Sequence, residues 1–286
     1  MKVSSNSFAV VSCCIIACLA GCGPGRSRTE QSGQAVFERQ EDFHWPQGKR
    51  AAISLTFDDA RLSQIDRGIP ILDEYGLKGT FYVSIVSMKE RLEGWKKAVA
   101  AGHEIANHSV KHPCSGNFPF SRDKALEDYT LDIMQNELDQ ASSTVEQLLG
   151  VRPVSFAYPC GQKYVGRGMN LESYVPLVAE TFLTGRGWLD EWANDPAFCD
   201  MAQLMGVKLD EKNFDQVKTL MDRTLADGGW LVFCSHEVAE DGRLVTSSQT
   251  LRALCEYAKD PKNGIWLDTV ENIATYILKQ RSGKAG

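Results

Sequence analysis

Positive charge is in short supply in this sequence. Lys and Arg number 31 against 37 Asp and Glu, a formal net charge of −6. A protein that holds a nucleic-acid duplex needs the opposite balance, so nucleic acid is not expected as a partner. Histidine is scarce, with five in 286 residues, and none of the nine Cys forms a C-x-x-C pair. That absence argues against a zinc ribbon or a dithiol redox motif. Long apolar stretches are missing as well. Phe8–Ala20 carries no charge but falls short of the about 20 residues that a membrane-crossing helix requires. What remains is 43% hydrophobic and 9% aromatic, with 24 Gly and 10 Pro, which excludes disordered, collagen-like and coiled-coil chains.

The short apolar stretch has the length of a signal-peptide core and follows a single basic residue, Lys2. It ends Leu19-Ala20-Gly21-Cys22, which resembles the lipobox of bacterial lipoproteins. The resemblance implies cleavage before Cys22 and lipidation of that residue. Acyl chains would then hold the protein on a membrane, on the extracytoplasmic side of the cell envelope. Residues 22–47 are polar and without periodicity until Phe43 and Trp45, and read as a tether. The three domain assignments are therefore 1–21 signal peptide, 22–47 tether and 48–286 catalytic domain. Once Cys13, Cys14 and Cys18 leave with the signal, Cys114, Cys160, Cys199, Cys234 and Cys255 stand beside Cys22. Five is odd, so no disulfide framework is indicated, and pairing is not readable from sequence.

From Ala51 onward, β-rich and helical patterns alternate. Strands are expected at Ala52–Phe57, Gly79–Ile85, Glu104–Ala106, Val154–Tyr158, Glu180–Leu183, Trp230–Cys234 and Gly264–Leu267. Helical spacing occupies Ser63–Tyr75, Lys89–Ala101, Leu126–Leu149, Phe214–Leu225, Gln249–Ala258 and Val270–Gln280. Such repetition predicts parallel strands in an open α/β sheet or a barrel, in a single catalytic domain. In these folds reactive groups collect at the carboxyl ends of strands. Here those ends carry Asp58-Asp59, Asn107-His108, Tyr158-Pro159-Cys160-Gly161 and Ser235-His236.

Adjacent carboxylates repel, so at least one of Asp58-Asp59 needs a cation or a raised pKa, although a solvated strand end or a helix cap would look the same. His108 and His112 stand four apart and would share one side of a helical turn. One carboxylate with two imidazoles makes a three-ligand site with an open position, as hydrolytic zinc requires. The same ligand types also suit a non-haem iron oxygenase. Cys114 as a fourth ligand would close the site to water. His103 reads as structural, and His44, in the tether, is assigned no role. His236 follows the most apolar strand and reads either as a satisfied core residue or, with a metal-bound water opposite, as the proton donor to a leaving group.

These residues resemble the polysaccharide deacetylase family (carbohydrate esterase family 4), over roughly Ala51 to Tyr276. Thr56-Phe57-Asp58-Asp59 matches its first motif, Gly102–His112 its second, Phe156–Gly161 its third and Phe233–His236 its last. The resemblance implies a distorted (β/α) barrel of about seven to eight parallel strands. It makes Asp58 the base, Asp59, His108 and His112 the ligands of Zn²⁺ (or Co²⁺ or Ni²⁺), and His236 the acid. The backbone N–H of Cys160 falls where the family has an oxyanion donor, with Tyr158 and Pro159 in the same substrate-binding segment. Tyr158, Trp188 and Trp192 are candidates to stack on sugar faces, though core packing accounts for them equally. The family's third motif carries an Arg that pairs with the base, and the matching position here is Ala157. Arg186 is the candidate substitute. The implied activity is removal of N-acetyl groups from a polysaccharide or oligosaccharide. The alternatives are an O-acetyl esterase acting on a xylan-type glycan, a small-amide hydrolase, and a non-catalytic glycan-binding lipoprotein.

Overall fold

The computed structural model describes residues 43–283. The expected signal peptide and Cys22 lie outside these residues, as does most of the expected tether. Eight strands form one parallel sheet: β1 (Ala51–Asp58), β2 (Thr80–Val83), β3 (Glu104–Asn107), β4 (Ser155–Ala157), β5 (Thr184–Arg186), β6 (Val207–Lys208), β7 (Trp230–Ser235) and β8 (Ile265–Leu267). Their order is β5-β4-β3-β2-β1-β7-β6, with β8 paired to the first half of β1. The sheet curls into a barrel because residues 204–208 join its two edges. Leu204 bridges Arg186 of β5, and Val207 pairs with Phe233 of β7. Gly206 permits that crossing, since a Cβ there would lie 2.5 Å from both Cys234 Sγ and the Gly187 carbonyl.

β1 is buried on both faces, as a central parallel strand should be. Ile53, Leu55 and Phe57 pack outward into the main core under the helices. Ser54, Thr56 and Asp58 point the other way, into the barrel, where Ser54 accepts a hydrogen bond from Trp230 Nε1 at 3.1 Å. The helices are α1 (Ile69–Glu74), α2 (Ile85–Glu90), α3 (Leu92–Ala100), α4 (Leu131–Leu149), α5 (Val175–Thr181), α6 (Phe214–Asp227), α7 (Ser248–Lys259) and α8 (Val270–Arg281).

Several expectations need correction. Glu180–Leu183 is not the fifth strand. α5 runs through Thr181, and the strand begins at Thr184, one residue past that span. Its barrel-facing residues, Thr184 and Arg186, are polar, so no apolar run marks it. α4 starts at Leu131 rather than Leu126, because the Thr130 hydroxyl accepts from Ile133 N at 3.3 Å and caps the helix there. The helix expected over Ser63–Tyr75 opens as a wide π-turn, Gln64–Gly68, before α1. Pro70, which has no N–H to give, sits in the first turn of α1. The last five tether residues are folded onto the domain. Trp45 is buried among Phe43, Trp266 and Tyr276, and its indole N–H reaches the Gly228 carbonyl at 2.8 Å.

Candidate metal centre and active site

The carboxyl ends of β1, β3, β4 and β7 open into one pocket of about 710 Å³. Asp58, Asp59, His108, His112, Cys160 and His236 all line it, so the strand-end residues singled out from sequence are brought together.

Two consecutive left-handed residues, Asp59 (φ 74°) and Ala60 (φ 54°), turn the chain sharply after β1. Asp59 is thereby aimed across the pocket at the loop after β3. Its Oδ1 lies 3.6 Å from His108 Nε2 and 3.5 Å from His112 Nε2, and its Oδ2 accepts from Arg61 at 2.8 Å. One donor atom from each of Asp59, His108 and His112 falls within 4.8 Å of the others. Two nitrogens and one oxygen at that spacing suit a single divalent transition ion.

The two imidazoles do not share a helix, which corrects the helical-turn expectation. Residues 108–112 form an irregular turn with positive φ at Ser109 and His112. Side chains hold it in place. Asn107 Oδ1 accepts from Ser109 N at 2.7 Å, and Ser109 Oγ accepts from His112 N at 2.9 Å. Glu137 of α4 accepts from the backbone of both Val110 and Lys111. His108 Nδ1 lies 3.0 Å from the Ala157 carbonyl, which can only accept, so Nδ1 carries the proton and Nε2 offers its lone pair to the pocket.

Protonation fits the same use. Burial opposes ionisation of Asp59, but the two imidazoles and Arg61 hold its carboxyl down at about 2. Burial, reinforced by neighbouring His108, brings the His112 imidazole down to about 4. An ionised carboxylate beside a neutral imidazole is the state that ligates a metal.

Asp58 is buried, and Arg186 reaches it from β5 to form an ion pair. Burial pushes the Asp58 carboxyl upward, and the Arg186 guanidinium, with His108 and His236 nearby, outweighs it and holds the carboxyl below its usual range. Arg186 lies over the Tyr82 ring, 4.7 Å from its centroid, and its Nη1 reaches the Gly187 carbonyl at 2.8 Å. Ala157, the position matched to the family's Arg, neighbours Arg186 in the β4–β5 register and leaves the barrel interior open for that long side chain.

His236 has a partner that the sequence reading missed. Its Nδ1 lies 2.8 Å from Asp210 Oδ2, and the other Asp210 oxygen accepts from His236 N and Ser235 Oγ. Burial disfavours the imidazolium, yet the Asp210 hydrogen bond and the surrounding carboxylates raise the His236 pKa. Asp210 follows the short β6 segment, so the signal of an acid just past a strand end was present, but the two-residue strand was not. Trp188 packs edge-on against His236 at 4.9 Å.

Cys114 and Cys160 form a disulfide, which removes Cys114 as a thiolate ligand. The bond links the loop carrying His112 to the segment carrying the Cys160 amide. Other aromatic candidates divide. Tyr158 lines the pocket but is buried, with its hydroxyl committed to the Ala202 carbonyl at 2.8 Å. Pro159 is buried and, among the described residues, does not line this pocket, and Trp192 lies apart from it under Arg223. Phe118 and Phe120, not singled out from sequence, stack on each other at 5.4 Å on the pocket wall and are exposed.

Comparison with known proteins agrees with this architecture. The sequence profile of the family described as Polysaccharide deacetylase matches residues 46–168. That span includes both aspartates, His108, His112 and Cys160, and ends before Arg186, Asp210 and His236. Gellan lyase of Bacillus sp. is 29% identical over 170 residues, 54% of this chain and 6% of its own. Peptidoglycan-N-acetylmuramic acid deacetylase PdaA of Bacillus subtilis is 27% identical over 117 residues, 41% of this chain and 40% of its own. The chain thus spans less than half the length of these curated relatives. Among solved structures, a Mycobacterium smegmatis protein assigned to the polysaccharide deacetylases superposes with a TM-score of 0.57 at 20% identity, covering 84% of this chain and 94% of its own. A family 4 acetyl xylan esterase from Clostridium thermocellum, in complex with a cobalt ion, gives 0.53 at 17% identity, covering 79% and 91%. At these identities the likeness concerns the fold, a parallel-strand α/β barrel.

Arg186→Met should strand Asp58 as a buried unpaired carboxylate. Loss of about 3–5 kcal/mol is expected in urea unfolding near pH 7. In the wild type, the contribution of the lowered Asp58 pKa is fully present above the unfolded value of about 3.9, and is lost as pH falls through the folded value. In the variant the Asp58 pKa rises, so the stability loss should shrink as the solution is acidified. A separate expectation concerns the disulfide. Cys114→Ala with Cys160→Ala, opening a link with sequence separation 46, should cost about 2–4 kcal/mol in the same assay.

Proposed function

We propose that the chain, which matches the polysaccharide deacetylase family over residues 46–168, is a metal-dependent hydrolase that removes N-acetyl groups from a glycan. The observation that carries this reading is the convergence of Asp59, His108 and His112 in the pocket that also presents Asp58 and His236. A divalent ion bound by those three side chains supplies Lewis acidity and lowers the pKa of water. Asp58, kept ionised by Arg186, takes the proton from the attacking water. The Cys160 N–H donates to the developing oxyanion. His236, charged and oriented by Asp210, gives its proton to the departing amine. Zn²⁺ is the expected ion, and Co²⁺, present in the related esterase structure, is a workable substitute.

Phe118 and Phe120 supply an exposed aromatic wall suited to sugar faces. Arg61, Lys124, Lys208 and Arg243 line the same pocket in a protein of net charge −6. A glycan that carries carboxylates would gain from these cations, as the muramic acid named for PdaA would. The reading also keeps the envelope address, with the protein anchored through a lipid on Cys22.

Acetate release should be measured on N-acetylglucosamine oligomers, peptidoglycan and acetylated xylan, before and after chelation. Release from the N-acetylated substrates should stop with chelator and return with Zn²⁺ or Co²⁺. Asp58→Asn and His112→Ala should each lower kcat/KM at least about 100-fold. Release from acetylxylan alone would turn the assignment to an O-acetyl esterase, and no release with no bound metal would make the protein a glycan binder. For the address, Cys22→Ser should move the protein from the membrane to the soluble fraction of expressing cells. Retention on the membrane would sink the anchor.

A further inference from the structure

Asp58 and His236, the base and acid of the reading above, leave adjacent strands side by side. Phe57 and Ser235 are the last residues that β1 and β7 pair with each other, so the carbonyls of Asp58 and His236 lie just beyond the final rung between these two strands. A single side chain takes up both. Gln64 Nε2 donates to the Asp58 carbonyl at 2.6 Å and to the His236 carbonyl at 2.8 Å. The orientation of the amide is fixed by chemistry, because two carbonyl partners require its NH₂ end. Gln64 is fully buried, and among the described residues its Oε1 has no hydrogen-bond partner. A buried amide with one end unsatisfied is a standing cost, offset by what the other end holds.

The backbone around Gln64 is built for this reach. It opens the π-turn Gln64–Gly68, a widened helical turn of the kind that recurs at functional sites. The preceding Ser63 hydroxyl donates to the Glu237 carboxylate and accepts from Val238 N at 2.9 Å. The pair Ser63-Gln64 therefore ties the start of this helical segment to both strand ends.

We propose that Gln64 is a positioning residue that sets the separation of base and acid across the pocket. It touches neither water nor glycan and acts through the two backbone carbonyls. This inference rests on the deacetylase reading for its catalytic consequence, but the clamp itself is testable without it.

Gln64→Met removes both donors at similar length, and Gln64→Leu removes them with a shorter apolar side chain and guards against a folding failure of the first. The readouts are steady-state kinetics on the metal-loaded enzyme and backbone hydrogen exchange on the metal-free one. With the clamp lost, kcat should fall about 10- to 100-fold while KM stays within about twofold. Exchange over 57–64 and 235–239 should quicken at least about tenfold, with melting and exchange elsewhere little changed. Unchanged exchange in both variants overturns the clamp. Faster exchange with wild-type kcat overturns the positioning role. If the wild type shows no chelator-sensitive release, faster exchange still upholds the clamp, and the failure belongs to the deacetylase reading.

Discussion

The site depends on one buried ion pair. A carboxylate at the end of the central strand, closed off by barrel walls, is stable only if a cation stands against it. Arg186 is that cation, and it comes from β5, with β2, β3 and β4 between it and β1, across the lumen rather than along the sheet. Its path explains neighbouring choices. Ala106 and Ala157 keep the interior clear, Tyr82 offers its ring face, and Gly206 lets the closing segment pass without a clash. A shorter residue at 186 or a bulkier one at 157 would leave Asp58 unpaired.

The remaining groups sit on loops, and each loop is tied to something rigid. Glu137 of α4 and the Asn107–Ser109 bonds fix the turn between the two imidazoles. The Ala157 carbonyl sets the tautomer of His108. The Cys114–Cys160 disulfide joins that turn to the segment after β4. Loops placed this way can hold strained φ values at Asp59, Ser109, His112 and Cys160 that an unsupported loop would relax.

Much of this was legible in the chain. β1 through β4 and β7 announce themselves as apolar runs ending in polar residues, and the Asp58-Asp59, His108–His112 and Ser235-His236 segments fall at those ends. What escaped had physical reasons. β5 presents Thr184 and Arg186 to a polar lumen, so its pattern has no apolar signature. β6 is two residues long, which hid Asp210 as a strand-end acid. Cys114 and Cys160 lie 46 residues apart, and nothing local links them until β3 and β4 are known to be adjacent. Arg186 was readable only as a question raised by Ala157, and the structure shows it paired with Asp58.

On the proposed reading, Asp58 and His236 take opposite proton roles in one pocket. Both are largely buried, and burial alone would neutralise each, raising the carboxyl and lowering the imidazole. The barrel defeats burial in both cases by pairing each with an opposite charge, Arg186 from across the lumen for the carboxyl and Asp210 from the end of the adjoining strand for the imidazole. The pairings push the two pKa values apart, the carboxyl down and the imidazole up, which is the direction the proposed base and acid require. Neither pairing serves unless the strand ends beneath them keep a fixed spacing. The two loci of charge are therefore mechanically joined as well as electrostatically opposed, through backbone carbonyls that lie beyond the last rung between β1 and β7.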